Sequence, residues 1–121
     1  MPILKSIATA VPDHRITQAE VLAVLAKARG AALPARLEQI LGNSGIDRRY
    51  LSCEADHYLE PRSWTGRAAI YDQVGTRLAH KAAGDALAKA GLLPSDIDAI
   101  IMISTTGTMT PSIPSRMIEA M

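Results

Sequence analysis

The sequence predicts an α/β fold, a parallel or mixed sheet covered by helices, and three observations carry that prediction. The uninterrupted apolar run Ala99-Ile100-Ile101-Met102-Ile103 has the length and composition of a strand buried on both faces. The segment from Thr65 to Ala90 repeats its apolar residues at intervals of three and four, the period of an amphipathic helix. The order along the chain is strand, helices, extended segment, long helix, buried strand.

Ile3 to Val11 mixes β-branched and small residues and stops at Pro12-Asp13, which predicts a short strand and a turn. Thr17-Gln18-Ala19-Glu20 is a capping box, opening a helix to about Arg29 with Val21, Leu22, Leu25 and Ala28 on its apolar face and Gly30 as its stop. Pro34 suits the first turn of a second helix bearing Leu37, Ile40 and Leu41, closed by Gly42-Asn43. Gly45 to Leu51 alternates, with Ile46, Tyr50 and Leu51 as inward candidates, and predicts a short extended segment. Ser52 to Ser63 is irregular and polar and predicts a loop.

The long helix places Tyr71, Val74, Leu78, Ala82, Ala86 and Ala90 on one side and Asp72, Arg77, Lys81, Asp85 and Lys89 on the other. Asp85 precedes Lys89 by four residues, the favourable order for a helical ion pair. Gly91 ends the helix and Pro94 prevents its resumption. Beyond the buried run, Met117, Ile118 and Met121 stand at helical spacing with no C-cap and no evident partner, as in a helix cut off in its first turns.

The 121 residues fit one compact domain or one piece of a larger one, and no repeat, low-complexity tract or Gly/Ser linker divides them. Apolar residues make up 48% of the chain, yet there is no Phe and one Trp, so the expected core is close-packed and alanine-rich. The formal charge of +1, with cations scattered among anions, forms no basic stripe and argues against nucleic-acid binding. No stretch approaches the roughly 20 apolar residues of a membrane span, and no export signal opens the chain. A single cysteine, Cys53, excludes an internal disulfide and fits a reducing, cytoplasmic setting.

Five groups of residues invite a chemical reading. Cys53 with His57 and His80 suggests a nucleophile, but Glu54 and Asp56 would raise its thiol pKa, and an ordinary loop cysteine is the better reading. Cys53, Asp56, His57 and Glu60 lack common metal-ligand spacing, so no metal is expected. Arg48-Arg49 could clasp a phosphate through paired, charge-assisted hydrogen bonds, or be a solvated strand face. Trp64, Arg67 and Tyr71 suit an aromatic and cationic contact anchoring the long helix, preferred here to a ligand role. Ser104-Thr105-Thr106-Gly107 ends the buried run, where open α/β sheets place ligand contacts; a hydrogen-bonded turn is the alternative.

Three segments, Asn43 to Leu51 with its Arg-Arg-Tyr, Trp64-x-x-Arg67-x-x-x-Tyr71, and Asp96-Ile97-Asp98 through Ser104-Thr105-Thr106-Gly107 to Pro111-Ser112, share a further property. Together, and in order, they resemble the N-terminal part of bacterial type III polyketide synthases, the chalcone and stilbene synthase-like enzymes of the thiolase fold. The resemblance implies that residues 1–121 are one N-terminal stretch of a thiolase-like αβαβα domain, with a mixed sheet and covering helices. It implies a homodimeric acyltransferase that loads an acyl starter from coenzyme A onto a cysteine and extends it by decarboxylative condensation with malonyl-CoA. Coenzyme A thioesters are then substrates, and neither metal nor redox cofactor is expected.

The family's nucleophilic cysteine and its His and Asn partners lie downstream of the matched stretch, and Cys53 does not correspond to it, so the resemblance assigns no catalytic residue here. It likens Thr105 and Thr106 to the wall of the acyl cavity, and Met109 or Thr110 to the element that reaches across the dimer. Arg48 and Arg49 fall in the basic segment near the coenzyme A entrance, although Asn43 stands where plant members carry lysine. The expectation is a chain inactive alone, apolar around Ala99 to Ile103 and Met117 to Met121, that pairs with itself or with a complementary C-terminal segment. Initiating-type 3-oxoacyl-carrier-protein synthases share the Gly-Ile segment and the Ser/Thr-rich strand end and are the near alternative; a non-enzymatic binding or assembly module is the distant one.

Overall fold

In the computed structural model, which describes residues 1–120, helices predominate and two short strands form the sheet. The chain divides into two compact units, one spanning Pro12–Arg62 and the other joining Met1–Val11 to the chain from Ser63 onward.

The Pro12–Arg62 unit holds β1 (His14–Thr17), α1 (Gln18–Arg29), α2 (Ala35–Gly42), β2 (Arg48–Leu51) and a 3-10 turn at Ala55–Leu59. β1 and β2 pair antiparallel, with His14 opposite Leu51, Arg15 opposite Tyr50, Ile16 opposite Arg49 and Thr17 opposite Arg48. Residues directly opposite share a face, so His14, Ile16, Arg49 and Leu51 form one side and Arg15, Thr17, Arg48 and Tyr50 the other. Ile16 is buried, and with Leu33 it makes up the apolar core of this unit.

The capping box forms as the sequence predicts. The Thr17 N–H and Oγ–H both donate to Glu20 Oε2 at 2.7 Å, and the Glu20 N–H returns a bond to Thr17 Oγ at 3.3 Å. These bonds, the backbone one foremost, hold the Glu20 carboxyl below its ordinary range. Gly30 closes α1 at φ 65°, a left-handed position that costs glycine nothing. The predicted loop forms a 3-10 turn whose Asp56 is met by Lys27 of α1 at 3.1 Å, an exposed pair.

The second unit contains α3 (Trp64–Ile70), a π-helical turn (Tyr71–Gly75), α4 (Thr76–Ala90) and α5 (Ile113–Ala120). The predicted single helix is therefore continuous in direction but widened in its middle. α4 ends at Gly91, φ 66°, and the Leu92 N–H donates to Leu87 O at 3.0 Å, completing a Schellman-type cap. α5 packs on the wide turn, with a Cβ placed on Gly75 only 3.2 Å from Ile113 Cδ1 and Arg116 paired with Asp72 at 3.1 Å. Ile113 and Met117 are the buried apolar residues of this unit among those described. α5 thus has a partner that its sequence did not disclose, while Met121 lies outside the described residues.

Several expectations are corrected here. Ile3 to Val11 forms no strand; it lies along α4, where Ser6 Oγ donates to Ala86 O at 2.7 Å and Lys89 Nζ to Ile7 O at 3.2 Å. Lys89 is thereby diverted from Asp85, which pairs instead with Lys81 at 2.8 Å. Ala99 to Ile103 also forms no strand, because no ladder partner exists for it among the described residues, and Ile101 and Ile103 are 91% and 87% exposed. The close-packed alanine core is absent for the same reason: α4 has no fully buried residue, since no sheet covers its small side chains. No helix among the described residues is long and apolar enough to cross a membrane.

Candidate functional site

The best-built feature is the turn at Ser104–Gly107, and Tyr71 builds it. Tyr71 begins the π-helical turn, and its hydroxyl donates to Ser104 Oγ at 2.6 Å. Ser104 Oγ in turn donates to Gly107 O at 3.0 Å, so one phenol fixes both ends of the turn. The ring lies directly against the Gly107 backbone: a Cβ there would stand 2.5 Å from ring carbons of Tyr71. Only glycine permits that approach. A π turn adds girth to a helix and is found disproportionately at functional sites, and here it falls where Tyr71 meets the turn and Gly75 meets Ile113.

Thr105 and Thr106 sit exposed at the tip of this turn. Met109 is half-buried and Thr110 is exposed, before a cis Thr110–Pro111 bond. A cleft of about 540 Å3 runs past Tyr71, Met102, Ser104, Gly107, Met109 and Ile113. A smaller cleft of about 90 Å3 lies between α3 and Thr106, Gly107 and Thr108. A third groove, about 550 Å3, opens between α4, the Ile97–Ile101 segment and Met117 and Ile118 of α5. The structure thus brings Met109 and Thr106 to the walls of two adjoining clefts that share Tyr71 and Gly107.

Arg48 and Arg49 belong to the other unit and are separated by the pleat. Arg49 shares a face with Ile16, while Arg48 shares the opposite face with Arg15 and Tyr50. A phosphate on one face therefore meets one of the two consecutive arginines, and Arg15 is the second cation beside Arg48. Cys53 follows β2, half-buried; the nearby His57 ring stands edge-on to Tyr58 at 5.7 Å, and Tyr58 shares a 2.8 Å hydrogen bond with Ser52. Among the described residues no three of His, Cys, Asp and Glu converge as a metal set.

Sequence reasoning placed Tyr71 on the apolar stripe and missed its hydroxyl's role. The usable signal was the pairing of an aromatic at the helix with a glycine closing a hydroxyl-rich turn, since close backbone approach is what a glycine at such a place supplies. Of the expected contact among Trp64, Arg67 and Tyr71, the structure forms one part: the Arg67 guanidinium lies 5.8 Å from the centre of the Trp64 ring, while Tyr71 is engaged with Ser104 and Gly107.

No family model matches the chain. Individual relatives do. The chain is 30% identical over 110 residues to the phloroglucinol synthase of Pseudomonas fluorescens, an alignment covering 89% of this chain and 31% of that protein. It is 31% identical over 111 residues to the 1,3,6,8-tetrahydroxynaphthalene synthase of Streptomyces peucetius, covering 90% and 29%. The corresponding synthase of Streptomyces coelicolor is 33% identical over 114 residues, covering 92% and 30%. The chain spans about three tenths of the length of the relatives it matches.

Proposed function

Because this chain is a homologue of type III polyketide synthases along nine tenths of its length, we propose that it forms one part of an acyltransferase that condenses an acyl-CoA starter with malonyl-CoA. The observation that carries the reading is the in-order alignment, joined to the rigid Ser104–Gly107 turn that the same stretch builds. In this reading the chain is a contiguous part of a thiolase-like domain. Thr105 and Thr106 wall the acyl cavity, and Met109 and Thr110 reach toward the second subunit of a homodimer. Arg48, assisted by Arg15 on the same face, meets the phosphates of coenzyme A, and Arg49 braces the covered face.

The chemistry of such a reaction needs a thiolate to take the acyl group and donors to stabilise the enolate formed as malonyl-CoA loses carbon dioxide. Cys53 is a poor candidate for the first role, with Glu54 and Asp56 beside it. We assign the nucleophile to polypeptide outside this sequence, supplied by a complementary C-terminal segment, with the whole working in the cytoplasm. The test is release of free coenzyme A from malonyl-CoA and a panel of acyl-CoA starters. The chain alone is expected to release none above a no-protein control, and co-expression with the part of a relative that follows the matched stretch is expected to restore release. Sustained release from the chain alone, lost in Cys53→Ala, would overturn the assignment.

A further inference from the structure

The smaller cleft beside the Ser104–Gly107 turn has the chemistry of a ligand site. α3 presents Trp64, Arg67 and Ala68, and the π turn that follows adds Tyr71, at the spacing of helical neighbours. Opposite them stand Thr106, Gly107 and Thr108, enclosing about 90 Å3. The floor is apolar, because Ala68 and the Tyr71 ring face it while the Tyr71 hydroxyl is occupied by Ser104. Arg67 is the one charged side chain in the lining. It makes no ion pair with any carboxylate among the described residues, in contrast to Arg116 on α5, which holds Asp72.

We propose that this cleft binds a short-chain carboxylate, its head group on the Arg67 guanidinium and the Thr106 and Thr108 hydroxyls, its stem on Ala68 and the Tyr71 ring. Guanidinium matches a carboxylate through two parallel N–H donors, and the cation–aromatic contact with Trp64 at 5.8 Å limits the orientations it must give up on binding. The volume is roughly that of a few water molecules, room for a carboxylate and a short stem. Phosphate fits less well, since it is strongly hydrated and has no use for an apolar floor. The site shares Thr106 with the acyl-cavity wall proposed above, but carboxylate binding there is tested without any condensation step.

Trp64 is the only tryptophan, so its fluorescence reads this cleft directly. Propionate, acetate, inorganic phosphate and chloride are titrated into the 121-residue chain at constant ionic strength. Propionate is expected to saturate the signal at a lower concentration than acetate or phosphate, and chloride to give no saturable change. Arg67→Gln is expected to raise the half-saturating propionate concentration by about tenfold or more, and Arg67→Lys by less. Should Arg67→Gln lose helical circular dichroism, Thr106→Val serves, expected to weaken propionate with helix content unchanged. A response shared with chloride, unaltered by either Arg67→Gln or Thr106→Val in folded protein, or strongest with phosphate, would overturn the proposal.

Discussion

Replacing Gly107 by alanine tests whether Tyr71 is the foundation of the Ser104–Gly107 turn. The added Cβ would lie 2.5 Å from two Tyr71 ring carbons and 2.7 Å from a third, against an ordinary contact of 3.4 Å or more. The shortfall is about 1 Å, comparable to inserting a methyl group into a filled core, which costs about 1–3 kcal/mol. The ring has little freedom to retreat, since the obstructing atoms are at its base and its far end is tied to Ser104 at 2.6 Å. Urea unfolding followed by helical circular dichroism should show the midpoint falling by about 1 M for a urea slope of about 2 kcal/mol per molar. In a Tyr71→Ala background the same substitution should cost less than about 0.5 kcal/mol, because the obstacle is gone. A neutral Gly107→Ala, or an equal cost in both backgrounds, would refute the argument.

Thr17→Ala should destabilise α1 by about 1 kcal/mol, measured as loss of helix on thermal unfolding, because it removes the cap of the Glu20 N–H. Glu20 has a lower pKa folded than unfolded, so its share of the capping box should be full at neutral pH and lost as pH falls through the folded value; stability of Glu20→Gln should be the less pH-dependent of the two below the ordinary carboxylate range. Ile113→Ala should cost about 2–4 kcal/mol in chemical unfolding of the α4–α5 unit, since Ile113 is 2% exposed and seated over Gly75. Ile101→Lys should leave stability within about 0.5 kcal/mol and raise the solubility limit, because Ile101 is 91% exposed within an apolar groove.

Local signals were the legible part of this sequence. The Thr17-Glu20 box, Gly30, Gly91 and Pro94 each act within a few residues of themselves, and each stands where the pattern puts it. Strand formation is different in kind, because a ladder needs a neighbour. Ile3 to Val11 and Ala99 to Ile103 carry strand composition, and neither finds a strand to pair with among the described residues. The paired strands are Arg48–Leu51, inside the extended segment predicted over Gly45 to Leu51, and His14–Thr17, which is too short and polar to read as a strand from its pattern but lies opposite. At the candidate site, Thr105, Thr106, Met109 and Thr110 were singled out by the family resemblance. The hydroxyl that fixes their turn comes from Tyr71, 33 residues before Ser104, a separation over which periodicity carries no information.

The widened helical turn at Tyr71–Gly75 also sets a rule for how this segment tolerates change in length. Each residue of an α-helix advances the chain by about 100° around its axis. A π turn accommodates an extra residue without unwinding its flanks, so it resets the angular phase between what comes before and what comes after. Trp64 and Arg67 are counted from one phase, Leu78 and Ala82 from another, and a helical wheel drawn through both misplaces one group by about a quarter of a turn. Deleting a single residue between Tyr71 and Gly75 would relax the segment to a regular α-helix of better intrinsic geometry. Because the wide turn absorbs that residue, α3 would keep its facing and leave Arg67 and Trp64 beside Thr106 and Thr108, whereas a one-residue deletion in the regular turns of α4 would rotate them away by about 100°.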